Sequence, residues 1–314
     1  MSNNDMIGEV ATMRHAPPEL SYPGLSPQLL ARVRQLWSAQ GLDFDFHWKL
    51  AIRSMPGFRA APRLRDAEDS AAVDLVFLFD QCVIWVRALQ AAAGCRPDAG
   101  GLDPAQWHGL AAVGARLTEQ LTALRVLAMT GLPMPAMQIA RSVSEDVDMM
   151  LVLLARRQLA ARFVACRNVD DASEFWRRHI AGGRAFQIVT QKLYDIGLDY
   201  SPDTEYGRWR KGALSVLGTA VHTNALPPPA SLQNDDSLYF ATFRIHELCA
   251  YAQMIQPQLT GWLAATASSV PDETASAAAH MAALAAPMSV VLINQIESLS
   301  RPAPRHSAAA SPPH

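Results

Sequence analysis

Between Val73 and Leu89 the chain is apolar on nearly every side of a helical projection, and the run is interrupted in its interior by Asp80 and Arg87. A helix that is hydrophobic all round must be covered by others, so this segment predicts the central helix of a multi-helix bundle. Burying a charge without a partner costs several kcal/mol, so Asp80 and Arg87 must be matched. They lie two turns apart and are expected to pair with other helices, with Arg125 and Glu145 as candidate partners. A buried polar cluster of Asp80, Arg87 and Arg125 is either a structural lock or a functional site.

The flanking segments read as helices with recognisable ends. Ser26 and Pro27 form an N-cap and first-turn pair, Leu29, Val33, Leu36 and Trp37 give one apolar face, and Gly41 stops the helix. Residues 42 to 65 mix aromatics with Pro56, Gly57 and Pro62, and read as an irregular layer holding one short helix. Asp103 and Pro104 open a helix with Leu110, Val113, Leu117, Leu121, Leu124 and Ala128 at spacings of three and four, ending at Gly131. Pro133 and Pro135 open the longest expected helix, running through Ile139, Val143, Val147, Met150 and Leu154 to about Arg167.

Asp171 and Glu174 stand as a capping box before Phe175 and Trp176, with a helix to Ile196 whose middle Gly182 and Gly183 weaken or open to a neighbour. A further helix from Ser201 and Pro202 ends at His222, ahead of the rigid Pro227, Pro228 and Pro229. Asp235 and Asp236 cap the next, and an Ala-rich helix runs from Pro271 to about Leu299. No segment alternates strictly with β-branched residues and tight turns. The expectation is an all-α protein, an irregular helical bundle of about eight helices. Its parts are a disordered arm (1–25), the main bundle (26–226), C-terminal helices packed on it (227–300) and a disordered tail (301–314).

Composition narrows the function classes. A formal net charge of -2 provides no global basic field to collect nucleic acid, so any such contact must be local. Cys82, Cys95, Cys166 and Cys249 are far apart and form no metal-binding ladder or disulfide framework. The first ten residues lack the apolar stretch of a secretory signal, so a cytoplasmic location is expected. Residues 248–270 and 274–296 carry no Asp, Glu, Lys or Arg, but polar residues, Pro257 and Pro287 interrupt them, and no membrane span is expected. No phosphate loop, His-Glu-x-x-His helix, di-iron pair or nucleophile elbow occurs, and no cofactor or metal is expected. The short cluster Asp43, Asp45 and His47 reads as capping and solvated rather than metal-binding.

The most suggestive pattern is Arg141-Ser142-Val143-Ser144-Glu145, because residues four apart share a helix face and both charges stand beside the apolar stripe. They either line a pocket or fix helix packing as an ion pair. His222 follows a smooth run of small and apolar residues from Ser215 and is either a base or a helix C-terminal cap. His179 and His246 are weaker candidates.

Residues 110 to 223, with the Arg-Ser-x-x-Glu-like helix Ile139 to Leu154, the Phe175-Trp176 helix and the small-residue helix ending in His222, resemble bacterial all-helical domains of the HEPN-like kind. The resemblance implies a HEPN-like bundle core, a protein partner or a second copy of the chain, and a nucleic-acid-linked role in stress or phage defence. Ribonucleases of that kind carry an Arg and a His four to six residues further along one helix. Here that spacing occurs only at Arg301 and His306, in a proline-rich tail. Metal-independent RNA cleavage would therefore need Arg141, Glu145 and His222 to meet across helices, with Arg141 holding phosphate and His222 as acid or base.

Overall fold

The computed structural model describes residues 18–55, 70–95, 102–194, 201, 203–221, 234–255 and 277–295. Every regular element among them is helical: α1 (Pro18–Ser21), α2 (Pro27–Ala39), α3 (Phe44–Ser54), α4 (Ser70–Cys95), α5 (Pro104–Met129), α6 (Pro133–Ala155), α7 (Arg157–Val164), α8 (Val169–His179), α9 (Arg184–Tyr194), α10 (Glu205–Val221), α11 (Asn234–Ile255), α12 (Ala277–Ala283) and α13 (Ala285–Gln295). The all-α expectation holds.

The bundle is built round two helices. Every residue from Val76 to Val86 on α4 is buried, and α5, α11, α12 and α13 enclose it. Helix α6 is the second hub, packed against α5, α7, α9, α10 and α11. Its face of Val143, Val147, Met150 and Leu154 is shut off from solvent. A fully buried apolar side chain of this size contributes roughly 1.5–3 kcal/mol relative to exposure, so both hubs add substantially to the stabilisation.

Caps fix where the helices start. Ser26 accepts from the Leu29 amide, and its own N–H donates to Asp74 of α4 at 2.8 Å, tying the start of α2 to the hub. Asp103 and Gln106 form a capping box at α5, and Gln106 Nε2 also donates to the Leu153 and Leu154 carbonyls at the end of α6 (2.9 and 3.0 Å). One glutamine side chain therefore serves two helix termini.

Several expectations are corrected. More helices are present than the eight or so expected, because three stretches read as continuous are broken. Arg156 leaves the helical region (φ -135°, ψ 87°) and separates α6 from α7, Gly182 and Gly183 adopt positive φ (67° and 78°) between α8 and α9, and α12 meets α13 at a 45° bend. Helix α8 starts two residues before the expected capping box, with the Asn168 side chain accepting from the Asp171 amide. The arm expected to be disordered through residue 25 is docked from Pro18 onward, with Tyr22 wholly buried. Residues 1–17, the triple proline and residues 301–314 lie outside the described residues.

No single helix among the described residues is long and apolar enough to cross a membrane. The α12 and α13 pair, which together reach the required length and apolar character, packs on α4 and buries Met281, Leu284, Met288 and Leu292.

Candidate functional site

Arg141 and Glu145 stand one turn apart on α6, and Arg141 Nε lies 3.3 Å from Glu145 Oε1. Their side chains remain 34% and 40% exposed, and together they line a cleft of about 920 Å³ between α6, α8 and α10. Ser142, Trp176, Ser215, Thr219 and Val221 complete its walls. Gln138 Nε2 donates to the Ala220 carbonyl at 2.7 Å, which holds the end of α10 against α6 and sets the cleft's width.

A smaller cavity of about 250 Å³ adjoins it and shares Arg141, Glu145, Trp176 and Leu214. The Gly182–Gly183 turn forms its corner, and Asp148 and Arg210 form part of its lining. Arg210 Nη2 donates to both Asp148 oxygens (3.0 and 3.2 Å), and Arg244 of α11 donates to Asp148 Oδ1 at 2.5 Å and also pairs with Glu247. Two carboxylates and two guanidiniums thus lock α6, α10 and α11 behind the cleft. The lock is charge-balanced, and so is the Arg141 and Glu145 wall in front of it.

Trp176 has 45% of its surface exposed and borders both cavities, as well as an apolar groove of about 460 Å³ lined by Phe163, Cys166, Val169 and Phe175. Arg177 and Arg178, which follow it, both pair with Glu174. In the sequence Trp176 reads only as part of the helix that follows Asp171 and Glu174. Its place as the fourth residue of an apolar spacing on a short, strongly amphipathic helix gave no sign of exposure.

Asp146 sits beside the cleft but points to the other side of α6. It is buried, and Arg116 Nε of α5 approaches Oδ2 at 3.1 Å as a charge contact rather than an aligned hydrogen bond. Burial pushes its carboxyl up to about 6, against the pull of Arg116 and with the push of Glu145.

The buried cluster is separate from the cleft. Arg125 Nε donates to Asp80 Oδ1 and Oδ2 (2.7 and 3.0 Å), and the Tyr22 hydroxyl donates to Oδ2 at 2.5 Å. Burial, with the Asp80 charge beside it, raises the Tyr22 phenol well above its ordinary value. Trp37 Nε1 donates to the neighbouring Gln81 side chain at 3.2 Å. None of these residues lines the cleft, the smaller cavity beside it or the apolar groove, and the assembly works as a lock between α4, α5 and the docked N-terminal turn. Arg87 is not part of it: it is half-buried, its Nη1 has no hydrogen bond among the described residues, and burial lowers its pKa. Glu145 pairs with Arg141 and not with Arg87.

The remaining candidates fall into place singly. His222 lies outside the described residues; its chain neighbour Val221 lines the cleft. His246 is fully buried on α11, and its Nδ1 donates to the Thr242 carbonyl at 2.8 Å, so Nδ1 carries the proton. Burial lowers its pKa to about 4, which makes it a core residue. His179 packs against the Phe175 ring. Asp43 caps α3 through the Phe46 amide, and Asp45 pairs with Arg34 at 3.0 Å, which gives both aspartates structural roles. No group of three or more His, Cys, Asp or Glu that could hold a metal occurs among the described residues.

Comparison with protein-family models, with curated proteins and with solved structures finds no match to this chain.

Proposed function

We propose that this chain is a helical binding or regulatory protein with a HEPN-like bundle, working in the cytoplasm within a bacterial stress or phage-defence system. It acts through protein or nucleic-acid contacts made at the cleft between α6, α8 and α10, with a protein partner or a second copy of the chain. The observation that carries this reading is the cleft itself: an exposed Trp176 beside an Arg141 and Glu145 pair whose charges balance. Aromatic and Arg side chains in a concave, preformed site are the usual currency of recognition. A catalytic set, by contrast, needs a group whose proton affinity is tuned for transfer.

A second reading, a metal-independent HEPN-like ribonuclease or nucleotide-processing enzyme, draws on one feature. Arg141 and Glu145 line the cleft, and His222 follows directly on Val221, which also lines it. Incubating the full chain with mixed-sequence single-stranded RNA, and reading filter retention and strand integrity together, separates the two. Retention of intact RNA that is lost in Arg141→Ala supports the binding protein. Cleavage abolished by His222→Ala supports the enzyme, and neither retention nor cleavage overturns the nucleic-acid version of both.

A further inference from the structure

We infer that the cleft takes one unpaired nucleobase, guanine by preference, stacked on Trp176 and held edge-on by Arg141 and Glu145. This rests on the nucleic-acid form of the binding reading above, and narrows it from strand to base.

The first argument is charge. Arg141 is matched by Glu145, Asp148 by Arg210 and Arg244, and Glu247 by Arg244, so the lining offers no surplus cation to a phosphate. Backbone-tracking sites do the opposite and gather cations along a groove. A balanced cleft suits a neutral ligand.

The second is shape and surface. The two adjoining cavities, about 250 and 920 Å³, are large enough for a nucleoside and its neighbour in a strand. Trp176 borders both, so an inserted planar ring meets the indole whichever cavity it enters. Every base has a π face, and stacking on an indole does not distinguish among them.

The edge supplies the selection. Arg141 approaches Glu145 Oε1 through Nε at 3.3 Å, and both side chains stay partly exposed in the cleft wall, so the Nη donors and Oε2 are the atoms offered to a ligand. Donors and an acceptor therefore stand side by side, one helical turn apart. Guanine presents the complement on one edge: an O6 acceptor next to two adjacent N–H donors, which Glu145 accepts on Oε2 and on the second lone pair of Oε1. Adenine and uracil lack that pair of adjacent donors, and cytosine has only the one amino group there.

The test is calorimetric titration of the full chain with guanosine, adenosine, cytidine, uridine and inorganic triphosphate, with circular dichroism confirming that each variant is folded. Guanosine binds tightest, and Trp176→Ala weakens it roughly 10- to 100-fold while Trp176→Phe keeps most of the affinity, as loss of one stacked base implies. Glu145→Gln reduces guanosine affinity about tenfold and leaves adenosine unchanged, since it removes one bidentate contact. Equal affinity for all four nucleosides, no binding of any, or binding of inorganic triphosphate overturns the inference. Retention of single-stranded RNA without guanosine binding overturns the base pocket alone, whereas failure of RNA and nucleosides together overturns the nucleic-acid reading beneath it.

Discussion

Arg125 on α5 and Asp80 on α4 meet at 2.7 Å in the interior of the bundle, and the Tyr22 hydroxyl closes the group from the N-terminal turn. Removing one side of such a pair strands the other in a low-dielectric interior. Asp80→Ala or Arg125→Ala is therefore expected to cost about 3–5 kcal/mol, whereas Asp80→Leu with Arg125→Met together should cost less than either alone. Tyr22→Phe loses a hydrogen bond to a charged acceptor and should cost about 1.5–3 kcal/mol. Urea denaturation of the four variants checks the ordering.

Gly114 of α5 faces Gln90 of α4 so closely that an added Cβ would lie 3.3 Å from the Gln90 Cβ. Two helix backbones approach there, and the neighbour is the base of a side chain rather than its movable end. Gly114→Val is expected to destabilise by about 1–3 kcal/mol through overpacking. An unchanged denaturation midpoint would show that the helices can part.

Asp146 holds its proton up to about pH 6 in the fold, compared with about 3.9 in an unfolded chain. The folded state thus binds more protons than the unfolded state between about pH 4 and 6, and the stability that this group contributes is present at the low end and lost as pH rises. Asp146→Asn is expected to be more stable than wild type at pH 7.5 by about 1–3 kcal/mol, with the difference vanishing near pH 4. Paired thermal melts across that range give the sign directly.

His246 works in the opposite sense. Its pKa of about 4 keeps the imidazole neutral in the fold, while the unfolded chain protonates it near pH 6.5, so its contribution is lost as pH falls between those values. Nuclear magnetic resonance of the imidazole should show no titration from pH 7.5 to 5. A midpoint near pH 6.5 would place the ring in contact with solvent.

Much of the scaffold is legible in the residues. The period of three and four, together with the Ser26-Pro27 and Asp103-Pro104 pairs, marks α2, α4, α5 and α6, because capping and burial act locally along the chain. The requirement that Asp80 be matched follows from charge burial, and Arg125 meets it. The breaks are less legible: Arg156 is an ordinary helix former, and Gly182 and Gly183 mark only a weak point in a helix expected to run through to Ile196. For the cleft, Arg141 and Glu145 stand out by spacing. Asp148 continues the same face one turn further and could have been found that way. Arg210, Arg244 and Glu247 come from distant helices, and their meeting depends on tertiary packing that no local pattern encodes.

The cleft between α6, α8 and α10 is proposed as the surface that engages a ligand. Hydrogen exchange of the full chain with and without single-stranded RNA tests this most directly. The expected result is protection concentrated in residues 138–148, 173–183 and 210–221. Protection confined to other helices, with these three segments exchanging as in the free protein, would contradict it.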